Sequence, residues 1–313
     1  MNRLSTEKRA EIIRCLVEGT SINATCRMTS AAKMTVLKLL RDLGEATSRY
    51  QDAALRHLPS RRIEADELWS FCHAKARHVP EKYAGQFGYG DVWTWTALDP
   101  DTKLMVTWLV GDHSETDADT FLSDLKERVT NRIQLSTDGN LLYSGAVERV
   151  FGRDVDYAQV IKDYGIQQSD DASPTARRYS PNVVKSIELR VMMGDPDPDH
   201  ISTSHVERMN LTIRMGMRRF TRLTNAFSKK VENLAHAVTI QFMFYNFARP
   251  IRRSGRTSLL RWRRASAITS GPLTRSPPCS IRLLRSARGT SRLSRNRRHL
   301  LRRQPPTLVT VPR

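Results

Sequence analysis

The sequence predicts a mixed α/β fold, a sheet covered by helices, preceded by an all-helical unit and followed by an arginine-rich tail. Three observations carry this. Apolar residues recur at helical spacing up to residue 45 and alternate at strand spacing from residue 61 onward. Between residues 61 and 161 the segments run three strands, helix, strand, helix, strand, the order of a sheet with helices on its faces. From Ile251 to Arg313, 63 residues hold seventeen arginines and no lysine, aspartate or glutamate.

Residues 5–44 read as three helices. Ser5 or Thr6 caps the first, Ile12, Ile13, Leu16 and Val17 form its apolar face, and Gly19 ends it. Ser21 caps a short second helix through Arg27. Ser30 caps a third, which carries Val36, Leu37, Leu40 and Leu43 and stops at Gly44. The third helix presents Lys33, Thr35 and Lys38 outward, which is the layout of a helix-turn-helix that reads DNA. A small three-helix bundle for protein contact satisfies this stretch equally well.

Residues 46–60 read as a polar linker. RRIEADELWSFCHAK (61–75) alternates as a strand, and 91–112 gives two strands joined by the Asp99-Pro100-Asp101 turn. Ser114 opens a helix with Ala118, Phe121, Leu122 and Leu125 on one face. A strand over Arg132–Thr137 ends at Asp138-Gly139, followed by a helix near Tyr143–Phe151 and a strand near Tyr157–Ile161. KSIELRVMM (185–193) is strand-like within a polar region. One helix runs from Ser202 through Phe220, and another from Phe227 to Phe244.

The charge is unevenly placed. The chain has 51 basic and 32 acidic residues, net +19, with a pI near 10.4. Removing the seventeen tail arginines leaves 34 basic against 32 acidic, so the argument for function must come from the body. No run of about 18 apolar residues occurs, and the first residues lack a signal-peptide core, so a soluble, intracellular protein with no membrane partner is expected. Cys15, Cys26, Cys72 and Cys279 form no C-x-x-C pair, which argues against disulfide or zinc sites.

Three carboxylates stand out. Asp66 lies inside an apolar strand, Asp138 closes a strand at its carboxyl end, and Glu207 sits in the first turn of a helix. Clustered hard oxygen ligands suit Mg²⁺ and phosphoryl chemistry. Each has a plainer use. Asp138-Gly139 makes a turn, Ser204-x-x-Glu207 makes a capping box, and Asp66-Glu67 on an edge strand would be solvated. Glu67 points to the face opposite Asp66, so at most one of them faces a site. Asn210 and Arg214 follow Glu207 at i+3 and i+7, then come Arg218, Arg219, Arg222, Lys229 and Lys230. A carboxylate followed by a basic stripe on one helix suits metal-assisted work beside a phosphate backbone.

The segments IEADELWSF, LSTDG with Tyr143, TSHVERMNLTIRMGMRRFTRLTNAFSKK and YNFARP resemble the insertion-sequence-one type of bacterial transposase, a member of the DDE recombinases. The resemblance covers 61–250 and implies a ribonuclease H-like catalytic domain there. It implies that Asp66, Asp138 and Glu207 bind Mg²⁺ (or Mn²⁺) and that Arg214 is the basic residue seven positions after the glutamate. It also implies that helices in 1–45 recognise the element's inverted-repeat ends and that the chain works as a homo-oligomer on double-stranded DNA, both element ends and target. The setting it implies is the bacterial cytoplasm, on the nucleoid. The zinc-binding N-terminus of some relatives is absent.

After Pro250 the chain departs from the family pattern, which continues through a lysine-containing segment into Thr-Pro-Ala. The Arg/Ser/Pro/Leu composition of 251–313 is that of out-of-frame translation of GC-rich codons, and predicts a disordered tail produced by a frameshift. A native arginine-rich arm that binds DNA non-specifically is the alternative. For the chain as a whole, a non-catalytic helix-turn-helix regulator is the competing reading. A carboxylate-pair hydrolase leaves the helix-turn-helix and the basic stripe unexplained.

Overall fold

The computed structural model describes residues 4–165, 183–221 and 225–249, together with the backbone of short paired strands at 251–253 and 256–258. The expectation of a disordered tail falls otherwise outside the described residues, as does Arg222.

Helices α1 (Thr6–Val17) and α2 (Ile22–Thr29) begin where serine supplies the cap. Ser5 Oγ accepts from the Lys8 amide and Ser21 Oγ from the Ala24 amide, both at 3.2 Å. Ser30 does not cap the third helix as expected. It adopts the left-handed conformation (φ 51°) that closes α2, and α3 starts at Lys33 after Ala32.

The stop at Gly44 is also corrected, because α3 runs to Ala54. Gly44 is a packing residue. A Cβ there would lie 2.6 Å from the His236 side chain on the last long helix. The stretch read as a polar linker is therefore largely helix buried against that neighbour, with Gln51 Nε2 donating to the Thr239 carbonyl at 3.0 Å. Leu55 and Leu58 then enter the main core. Arg128 binds the Leu55 carbonyl at 3.2 Å and the Asp52 carboxylate at 3.1 Å, locking the end of α3 to α4 (Glu115–Arg128).

One six-stranded sheet forms the body, in the order β3-β2-β1-β4-β5-β6. Its strands are β1 (Arg62–Cys72), β2 (Gly90–Leu98), β3 (Met105–Gly111), β4 (Ile133–Asp138), β5 (Val155–Gly165) and β6 (Val183–Met193). β1, β2 and β3 pair antiparallel, β1, β4 and β5 pair parallel, and β6 returns antiparallel to β5. This mixed sheet flanked by helices is consistent with the ribonuclease H-like architecture that the resemblance implies.

Strand alternation divides the core in two. Ile63 and Ala65 of β1 point toward α4 and α5 (Leu141–Phe151), joining Trp95, Phe121, Leu122, Tyr143 and Tyr157. Leu68 and Cys72 point the other way, toward α6 (Ser204–Gly216) and α7 (Val231–Met243), where Val206, Ile213, Leu234 and Val238 pack. Helix α6 ends at Gly216 rather than continuing to Phe220. The turn between α1 and α2 abuts it there, since a Cβ on Gly19 would sit 2.3 Å from the Gly216 carbonyl oxygen. Among the described residues no helix is long and apolar enough to cross a membrane.

Candidate active site

The register of the sheet brings two of the acids together. Ala65 on β1 pairs with Thr137 on β4, so the next residues, Asp66 and Asp138, stand side by side where β4 ends. Asp138 stands at the carboxyl end of β4, the usual place for a site in such a sheet, with Asp66 beside it in the middle of β1. Helix α6 crosses the same face and brings Glu207. The three acids line one cleft of about 540 Å³, together with Lys162, Asn210 and Arg214.

Helix α6 is positioned by an acid that the sequence reading did not single out. Glu64 on β1 is buried, and its Oε2 accepts from the amides of His205 and Val206 at 2.8 and 3.0 Å. Its Oε1 meets His205 Nδ1 at 2.8 Å. A carboxylate from the sheet thus caps the helix that carries Glu207, in place of a cap from the helix's own sequence. Ser204 is the first residue of α6 rather than its cap, so Ser204-x-x-Glu207 is not a capping box. Instead Glu207 Oε1 accepts from Thr203 Oγ1 at 2.6 Å and forms an ion pair with Lys162 on β5.

Asp66 is held at both oxygens. Its Oδ1 accepts from the Glu67 amide at 2.8 Å and its Oδ2 from Asn210 Nδ2 at 2.7 Å. Burial raises its pKa to about 6. The Glu67 amide opposes the rise and the charge of Asp138 adds to it. Burial also raises Asp138, against the Asn140 amide that donates to its Oδ1 at 3.1 Å. These carboxylates repel one another in a poorly hydrated place, so the site stores a demand for positive charge.

A fourth acid corrects the expectation that only one of Asp66 and Glu67 faces the site. Ligand oxygens of Asp66, Glu67 and Asp138 all lie within 4.8 Å of one another, a set that could hold a metal ion. Glu67 does leave β1 on the opposite face. However, β4 stops at Asp138, and the longer side chain reaches past that end. Its side chain is only 5% exposed, and Oε1 accepts from Asn140 Nδ2 at 2.7 Å. Burial, then the charges of Asp138 and Asp66, push Glu67 up to about 8. His113 stands against Asn140 at 2.8 Å and stacks on Trp93, closing this side of the cluster. The donor set is all carboxylate oxygen, which fits Mg²⁺ or Mn²⁺ and fits poorly a metal that prefers sulfur or nitrogen. Glu207 shares the cleft but is engaged with Lys162.

The residues assigned to DNA separate into groups. Asn210 is buried at the cleft with its amide on Asp66. Arg214 is half-buried in the cleft. Because α6 ends at Gly216, the basic stripe is not on one helix. Arg218 and Arg219 fall in a separate turn, and Lys229 and Lys230 precede α7. Arg219 is turned inward, with Nη1 donating to Ser228 Oγ at 2.6 Å beside the buried Cys72, and burial lowers its pKa. Arg218, Lys229 and Lys230 are exposed around a pocket of about 400 Å³ that Lys33 of α3 also lines. Folding joins these cations across almost two hundred residues, and among the described residues no aspartate or glutamate lines that pocket. Thr35 is half-buried, and Lys38 is exposed and pairs with Asp42 at 2.5 Å.

No protein-family model and no curated protein matches the chain. Among solved structures it is similar to the simian T-cell lymphotropic virus intasome in complex with PP2A regulatory subunit B56 gamma. That match has TM-score 0.35 and 11% identity, and covers 86% of this chain and 78% of that one. A piggyBac transposase synaptic complex with hairpin DNA matches with TM-score 0.35 and 10% identity over 85% and 71% of the two chains. The Mos1 mariner paired end complex with Mn matches with TM-score 0.20 and 9% identity over 78% and 77%.

Proposed function

We propose that this chain is a DDE-type transposase of the insertion-sequence-one kind, cleaving and joining DNA at the ends of its element. The observation that carries the reading is the convergence of Asp66, Asp138 and Glu207, drawn from β1, β4 and α6, in one cleft beside Arg214 and Lys162. Composition does not create such a cluster, and a sheet serving only as scaffold has no use for several desolvated carboxylates at one point.

Asp66 and Asp138, with Glu67 or Glu207, would hold Mg²⁺ or Mn²⁺. When bound, such an ion supplies Lewis-acid polarisation of the scissile phosphate and lowers the pKa of an attacking water or hydroxyl. Asn210 fixes the rotamer of Asp66. Arg214 and Lys162 offer cations to the phosphate oxygens on the open side of the cleft. Water attacks the phosphodiester at the element's end and frees a 3′-hydroxyl, which then attacks a target phosphodiester without a covalent link to protein. Lys33, Arg218, Lys229 and Lys230 would track the backbone of the same duplex.

The test is Mg²⁺-dependent nicking of DNA that carries an element end, with Asp138→Asn beside the parent chain. Nicking should be lost in the variant while gel-shift affinity for DNA is kept. Nicking by Asp138→Asn at the parental rate would overturn the assignment. DNA binding with no nicking by either protein would favour the non-catalytic regulator.

A further inference from the structure

We propose that β6 is a self-pairing edge through which two copies of this chain join their sheets into one. β6 ends the sheet, and among the described residues no strand lies beyond it. Ile187, Leu189 and Val191 lie on one face of the strand at 59%, 48% and 56% exposure, a row of β-branched and aliphatic side chains that solvent does not favour. Glu188 and Arg190 occupy the other face, exposed and paired with each other at 2.9 Å.

The occupant follows from the order of these residues. An antiparallel partner related by a twofold axis perpendicular to the sheet places residue i opposite residue j with i and j on the same face. Centring the axis on Leu189 sets Glu188 opposite the partner copy's arginine, and Arg190 opposite its glutamate. The same register stacks Ile187 on valine and leucine on leucine across the axis. Charge and apolar rows are satisfied together, and no other twofold register sets these two charges face to face. Pairing with β5 is irregular on both sides of this stretch, between Asp163 and Tyr164 and between Tyr157 and Ala158, which leaves a short regular segment centred near Leu189.

The geometry has a consequence for the site. Asp138 pairs with Val160, and Val160 with Leu189, so the acid and the proposed axis share one cross-strand row. A perpendicular twofold leaves both clefts opening on the same face of a continuous sheet. Five strand spacings of about 4.8 Å put the two Asp138 residues roughly 24 Å apart. The pairing rests on β6 alone. Only the use of two clefts on paired DNA ends rests on the function proposed above.

Sedimentation of the full chain, without DNA and with EDTA, tests it. The parent should show a concentration-dependent monomer–dimer equilibrium. Glu188→Arg and Arg190→Glu should each weaken dimerisation about tenfold or more, because like charges then face each other twice. An equimolar mixture of the two variants should restore dimers, since one copy then presents two arginines and the other two glutamates. A monomeric parent, singly substituted chains that dimerise like the parent, or a mixture that stays monomeric would each overturn the proposal. Asp138→Asn should dimerise normally whether or not nicking is observed, which separates failure of the pairing from failure of the catalytic reading.

Discussion

Asn210 Nδ2 donates to Asp66 Oδ2 at 2.7 Å, joining α6 to β1 across 144 positions of sequence. The amide also lies 3.4 Å from Thr96 Oγ1, which itself donates to the Asp66 carbonyl at 3.0 Å. Asp66 is thereby fixed at both carboxylate oxygens on the wall of the cleft. Asn210→Ala should lower Mn²⁺ affinity by about 10–100-fold, the usual cost of losing a partner that orients a metal ligand. Calorimetric titration with Mn²⁺ measures this, and unchanged affinity would show that the contact orients nothing.

Glu64 supplies the cap of α6 from a buried place on β1. Glu64→Gln keeps the shape but replaces a carboxylate by an amide that cannot accept at both positions. A loss of about 1–3 kcal/mol in urea denaturation is expected. Nicking should fall as well, because the first turn of α6 carries Glu207.

The acid cluster makes stability depend on pH. Asp66 rises from an ordinary 3.8 to about 6, and Glu67 from 4.5 to about 8. The folded chain therefore keeps protons that the unfolded chain has already lost. By linkage, stability falls as pH rises from about 4 to about 8 and levels off above that window. Melting temperature without divalent ions should drop across this range. Adding Mg²⁺ or Mn²⁺ at pH 8.5 should raise it, since the ion binds only the folded arrangement. A melting temperature indifferent to both would contradict the electrostatic picture.

Gly44 separates two readings by sign. As a residue inside a free helix, its replacement by alanine would stabilise by up to about 1 kcal/mol. Packed on His236, it should instead cost about 1–3 kcal/mol through forced separation of α3 and α7. Thermal denaturation of Gly44→Ala decides between them.

The periodicity of apolar residues located the five strands β1 to β5 and the cores of the long helices, because burial on one face leaves a direct mark on composition. The same alternation marked β6 although both its faces are exposed. It misplaced helix ends at Gly44 and Phe220. A glycine used for close packing looks the same in sequence as one that ends a helix. Glu67 was set aside on strand alternation alone. Only the end of β4 at Asp138 shows that a long side chain can reach around. His113, Asn140 and Lys162 carried no signal beyond polarity, since their roles depend on neighbours supplied by other strands.

Local order along the chain was enough to specify most element types, the linker at 46–60 excepted, the uneven placement of charge and the candidacy of Asp66, Asp138 and Glu207. These are properties of neighbouring residues and of chemical type. Which carboxylates share a cleft, which cations are turned inward and which strands edge the sheet came from the folded arrangement. Those outcomes depend on strand register and helix packing between segments distant in sequence, and distances of that kind are set when the sheet closes its hydrogen bonds.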